Sequence, residues 1–163
     1  MGAHVRTLDG LQILLIEDDE DTREVLTLGL TLYGASVTAV SSASAALVAL
    51  ERERPDVILS DIGLPDEDGL ALIRRVRRLP PSHGGRVPAV AVTAFTLCDD
   101  AEEAARAGFQ RHFRKPVETA ALFSALAELG HTGGVERRRD GRRMKEMHVV
   151  KAERRTLVER RAS

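Results

Sequence analysis

A chain of 163 residues has room for one ordinary domain and an extension. Its composition, 43% hydrophobic and 30% charged, is that of a soluble globular protein, and with 3% aromatics and no Trp its core must be aliphatic. A lone cysteine, Cys98, excludes an internal disulfide and fits a reducing compartment. No apolar run approaches the roughly 20 residues of a membrane span. The first ten residues carry His4, Arg6 and Asp9 and no apolar stretch, so no signal peptide is expected and the expected location is cytoplasmic. The net charge of −1 conceals an asymmetry: residues 131–163 hold eleven basic and five acidic residues, a surplus of +6, and the preceding residues carry −7.

In chain order, residues 1–10 read as a lead-in and Gln12–Ile16 as a buried strand. An acidic cluster follows. A helix is predicted over Thr22–Tyr33 from the spacing of Val25, Leu28 and Leu32, closed by Gly34. Ala35–Val40 reads as a strand. Ser44–Arg52 reads as a helix with Leu47 and Leu50 inward, stopped by Pro55, and Asp56–Ser60 as a strand. A loop from Asp61 to Asp68 leads to a helix over Gly69–Arg78, with Leu72, Ile73 and Val76 inward and Arg74, Arg75, Arg77 and Arg78 outward. Val87–Val92 is a strand, Asp99–Ala107 a helix closed by Gly108, Arg111–Arg114 a short strand and Glu118–Leu129 an amphipathic helix. Five strand–helix repeats predict an α/β domain over 11–130: a doubly wound parallel sheet with helices on both faces and right-handed crossovers. The basic segment 131–163 lacks aromatics and any fold signature, and is expected to be disordered or marginally helical. Nucleic acid is not an expected partner.

Four polar signals directly follow apolar runs: Glu17-Asp18-Asp19, Asp61, Thr93 and Lys115. In a parallel sheet they emerge along one edge, where open α/β sheets bind ligands. Magnesium takes one or two carboxylates together with water and phosphate oxygens, which Glu17 and Asp18 beside Asp61 can supply. The plainer alternative is a solvated acidic helix start. Beside a cation, Asp61 is a workable nucleophile toward phosphorus; otherwise it is an ordinary turn cap. Thr93 is either a donor to a phosphoryl oxygen or an ordinary strand residue, and Lys115 either a phosphate contact or a solvated surface lysine. The order and spacing of the four carry more than any one of them.

The stretches 13–19 (ILLIEDD), 59–69 (LSDIGLPDEDG), 91–94 (AVTA) and 113–116 (FRKP) resemble the receiver domain of bacterial two-component response regulators, over about residues 11–130. The resemblance is strongest to the receivers of hybrid sensor histidine kinases. It implies the flavodoxin-like fold, with five parallel strands in the order 2-1-3-4-5 and five helices. It further implies Asp61 as phosphoacceptor, Mg²⁺ held by Asp18, Glu17, Asp61 and the Gly63 carbonyl, Thr93 as the switch hydroxyl, and Lys115 on the phosphoryl oxygens before a cis Pro116. The implied partners are a histidine kinase or histidine phosphotransfer protein and a downstream protein, with the chain monomeric or weakly dimeric. Position 112 departs from the pattern: His112 stands where Tyr or Phe is usual, three residues before the lysine. Its role is either a smaller switch ring or none.

The expected function is therefore a phosphorylation-activated switch in a phosphorelay, not an enzyme beyond its own phosphorylation and dephosphorylation. The alternatives are a phosphorylation-independent interaction module and the excised C-terminal receiver of a hybrid kinase. An aspartyl-phosphate phosphatase wants a second Asp two residues after its nucleophile, where this chain has Gly63. A nucleotide-binding site wants glycines after the first strand, where this chain has acids.

Overall fold

The computed structural model describes residues 7–94 and 101–132. The elements run β1 (Gln12–Ile16), α1 (Glu20–Leu32), β2 (Ser36–Val40), α2 (Ala43–Glu53), β3 (Val57–Asp61), α3 (Gly69–Arg78), β4 (Ala89–Thr93), α4 (Ala101–Ala107) and β5 (Arg111–Arg114), and α5 spans 119–132. All strand pairs are parallel, as the alternation predicts, and their order is β2-β1-β3-β4-β5, as the resemblance implies. The chain moves outward from β1 to β2, then returns past β1 to β3. That reversal opens a crevice at the carboxyl ends of β1 and β3.

The three central strands, β1, β3 and β4, bury both faces, and the alternation of their side chains sorts the core into two layers. Leu14, Ile16, Ile58, Ala89 and Ala91 face α2, α3 and α4. Ile13, Leu15, Val57, Leu59, Val90 and Val92 face Leu30 of α1 and Leu122, Phe123 and Leu126 of α5. Tyr33 packs edge-on against Phe123, their centroids 4.8 Å apart, and joins α1 to α5. Leu8 is fully buried in this second layer, so the lead-in contributes to the core from its eighth residue. α5 runs past the Leu129 end that the pattern predicts and is helical to 132, the last residue described there. Residues 1–6, 95–100 and 133–163 lie outside the described residues, and with them most of the basic segment and the expected start of α4 at Asp99.

Two side-chain placements differ from the sequence pattern. The spacing of Val25, Leu28 and Leu32 does identify a helix, but these residues are 70%, 64% and 68% exposed. The core contact of α1 is made by Leu30, with Leu26 half-buried beside it. Gly34, at φ +100°, ends α1 where a side chain would meet Asp9.

Arg77 is the second difference. It lies on the flank of the apolar stripe of α3 and turns inward. Its guanidinium donates to the carbonyls of Val87 (2.7 Å), Gly85 (3.1 Å) and Gly108 (2.8 and 3.1 Å), and to the Gln110 side chain (3.3 Å). Burial pulls its pKa down from the usual arginine value. One side chain thus ties α3 to the segment entering β4 and to the α4–β5 turn. A hydrogen bond to a charged group contributes about 1.5–3 kcal/mol net, and several such bonds on one side chain do not simply add. Arg77→Ala is expected to lower unfolding free energy by about 2–4 kcal/mol in urea titration, whereas Arg78→Ala, on the exposed side, stays within about 0.5 kcal/mol.

Candidate metal and phosphoryl site

The acidic cluster sits on the turn from β1 into α1. Asp19 caps α1, accepting the Thr22 amide at 2.9 Å, which places Glu17 and Asp18 just before the helix, at the end of the strand. Glu17 is 2% exposed, its backbone amide bonded to the Val40 carbonyl at 3.0 Å. Asp61 ends β3, one strand away. α3 starts close against it: Gly69 donates to the Ile62 carbonyl at 2.8 Å, and a Cβ at position 69 would fall 2.5 Å from the Asp61 carbonyl oxygen. Glycine is thus required there by backbone approach.

Carboxylate oxygens of Glu17, Asp18 and Asp61 lie within 4.8 Å of one another. At that distance each like-charge pair costs roughly 3 kcal/mol at an effective dielectric near 20. Lys115 offsets part of this. Its ammonium lies 3.0 Å from Glu17 Oε2 and 3.4 Å from Asp61 Oδ2. Lys115 is brought there by β5, with its amide donating to the Thr93 carbonyl at 2.9 Å, and the Lys115–Pro116 peptide is cis. The other Asp61 oxygen, Oδ1, accepts the Gly63 amide at 3.1 Å. Thr93, 4% exposed, ends β4 beside Asp61's strand and pairs with Arg114 across to β5. His112 is half-buried on β5, opposite Ala91.

Of the residues singled out in the sequence, Glu17, Asp18, Asp61 and Lys115 meet here; Arg23 was not among them. Its guanidinium donates to the backbone carbonyls of Glu17 (2.9 Å) and Asp18 (3.3 Å) and braces the acidic turn. The available signal was its position one turn into the helix capped by Asp19. The three carboxylates and one ammonium leave two negative charges, all on hard oxygen donors at an open edge. That donor set fits a divalent oxygen-seeking cation.

The profile of the response regulator receiver domain matches residues 13–127. The chain belongs to that family. A 14.6 kDa uncharacterised protein of Leptolyngbya boryana is 42% identical over 124 residues, which are 76% of this chain and 93% of that protein. The response regulator FleR of Pseudomonas aeruginosa is 38% identical over 127 residues, 77% of this chain but 26% of FleR, so the receiver domain corresponds to about a quarter of that regulator. Among solved structures, the receiver domain of a sensor histidine kinase from Pseudomonas aeruginosa is 35% identical, covers 75% of this chain and 98% of its own, and superposes with a TM-score of 0.67. That crystal structure has a magnesium ion coordinated in the active site cleft. No helix among the described residues is long and apolar enough to cross a membrane.

The charges of this receiver domain are mutually tuned. Burial raises the Glu17 carboxyl above its ordinary 4.5 and the Asp61 charge adds to the rise; the bonds from Lys115 and the Asp19 amide hold it down in part. At Lys115 burial favours the neutral amine, but the Glu17 bond and the Asp61 and Glu17 charges outweigh it and raise its pKa above 10.5. The two shifts pull opposite ways on the ion pair, the Lys115 shift favouring its charged form and the Glu17 shift its neutral form, because Glu17 is far the more buried partner and burial outweighs the pairing there. Glu17 therefore binds its proton more tightly folded than unfolded. Its contribution favours folding most below pH 4.5 and declines as pH rises through the folded-state value; the Lys115 contribution is complete at neutral pH and declines above pH 10.5. In carbon-detected NMR titration the Glu17 carboxyl is expected to titrate above 4.5, and Lys115→Met is expected to move it further up.

Proposed function

We propose that this receiver domain is a phosphorylation-activated switch of a two-component phosphorelay, taking a phosphoryl group from a kinase or phosphotransfer-protein histidine onto Asp61. The observation that carries this reading is the meeting of Lys115 with Asp61 and Glu17 at the open end of the sheet. The Gly63 amide on Oδ1 and the Lys115 ammonium on Oδ2 fix the Asp61 carboxylate in plane and orientation. An Asp61 oxygen forms the new P–O bond as the P–N bond of the donor phosphohistidine breaks, and the electron pair leaves on the imidazole. Transfer of this kind depends on positioning and charge neutralisation rather than on covalent chemistry from many groups.

Glu17, Asp18 and Asp61, with the Gly63 carbonyl, are the residues that would hold Mg²⁺, as a magnesium ion is held in the cleft of the related kinase receiver. Bound there, Mg²⁺ supplies the positive charge that offsets the incoming phosphoryl oxygens. Lys115 exchanges part of its contact with Glu17 for a phosphoryl oxygen, and the Thr93 hydroxyl donates to another. The product carries about −1.5 to −2 of added charge at the edge of the sheet, enough to rearrange the loops around it. His112 takes the ring position of the switch, outside the acceptor site.

The output is altered binding of a partner protein, and the domain catalyses no reaction beyond gain and loss of its own phosphoryl group. We assign it to the cytoplasm, as a monomer or weak homodimer, with residues 11–130 as the functional unit. Incubation of the full chain with a small-molecule phosphodonor and Mg²⁺ is expected to add the mass of one phosphoryl group. The gain should vanish in Asp61→Asn and with EDTA and persist in His112→Ala. No gain with any donor would favour a phosphorylation-independent interaction module.

A further inference from the structure

The seven residues between β3 and α3 carry Gly63 and shape the surroundings of Asp61. Both ends of this loop are tied locally. At its start the Gly63 amide bonds Asp61 Oδ1 at 3.1 Å. At its end Asp68 caps α3 through the Leu70 amide at 2.9 Å, and Gly69 bonds back to Ile62. The middle is tied elsewhere. The Asp66 carboxylate accepts the amides of Ala43 (3.0 Å) and Ser44 (3.1 Å) and the Ser44 hydroxyl (3.2 Å), all at the amino end of α2. That helix already has its own cap in Ser42, which accepts the Ala45 amide at 3.2 Å. The contact at Asp66 is therefore a second cap, supplied by a loop more than twenty residues away.

A helix amino terminus leaves several amides without intrahelical partners, and a carboxylate there makes charge-assisted bonds. Three donors converging on one carboxylate define its position in all directions. Leu64, 9% exposed, seats the same loop in the core from below. Between these anchors Gly63 has little freedom, although it is itself exposed and its amide bond to Asp61 is a single contact.

We propose that Asp66 is a positioning residue of the receiver site: docked on the amino end of α2, it fixes the loop that presents Gly63 and orients Asp61. Its consequence for metal affinity rests on the function proposed above; its consequence for the loop does not. Asp66 bonds to the amino end of α2 and not to the acid trio or Lys115, so its effect travels through three residues of backbone. α2 thereby becomes a mechanical neighbour of the site, without contributing a side chain to it.

The test uses the full chain as wild type, Asp66→Ala and Asp66→Asn. Amide hydrogen exchange is measured first without metal. In Asp66→Ala the amides of Gly63 and Leu64 should exchange at least about tenfold faster, with β1 and β4 unchanged. Mg²⁺ affinity by calorimetry should then weaken by roughly 3- to 10-fold, below the range seen when direct outer-shell partners are lost. Asp66→Asn retains one acceptor oxygen and should recover part of both effects. If Asp66→Ala lowers Tm while loop exchange and Mg²⁺ affinity stay at wild-type values, Asp66 is only a helix cap and the proposal is overturned; should Asp66→Ala not fold, wild-type exchange in Asp66→Asn overturns it equally. If the wild type binds no Mg²⁺ yet loop exchange responds as expected, the anchoring role stands and the metal reading fails.

Discussion

The ammonium of Lys115 lying between the carboxylates of Glu17 and Asp61 is the contact on which the site depends. Without a cation, three acids within 4.8 Å would repel one another or take up protons. With it, two of them share one positive charge, and what remains suits a divalent ion followed by a phosphoryl group. The lysine follows the fifth strand, Asp61 ends the third and Glu17 follows the first, so the contact exists only when β1, β3, β4 and β5 are assembled. Charge balance at the site and completion of the fold are one event.

The topology explains why these groups meet. Parallel strands present all their carboxyl ends on one edge, and the reversal between β1 and β3 leaves a gap there that no connection crosses. The loops lining the gap are held from outside it. Arg23 braces the acidic turn through backbone carbonyls and Gly69 lets α3 start against β3, while Arg77 acts at the opposite edge of the sheet, tying α3 to the approach to β4 and the α4–β5 turn.

Most of the fold was legible because the central strands are apolar runs buried on both faces, and Gly or Pro follows α1, α2, α3 and α4. The polar residues were legible because each one ends a strand. Side-chain direction on the helices was less so. Val25, Leu28 and Leu32 have core-like spacing yet face outward, since α1 lies on its layer through Leu30 and Leu26. Arg77 looked solvated because its type is polar, and its partners are backbone carbonyls that leave no pattern in the chain. Asp66 was unreadable for the same reason: its partners are amides 22 and 23 residues away.

The central claim is that the acids of β1 and β3 and the lysine after β5 form a single charge-balanced site. Magnesium titration of the uniformly labelled full chain, followed by proton–nitrogen correlation NMR, tests it directly. The account predicts saturable shifts concentrated at residues 17–19, 61–64, 93 and 115, abolished together by Asp18→Asn. Shifts that never saturate, or that fall on the acidic surface of α1 and leave 61 and 115 unmoved, would contradict it.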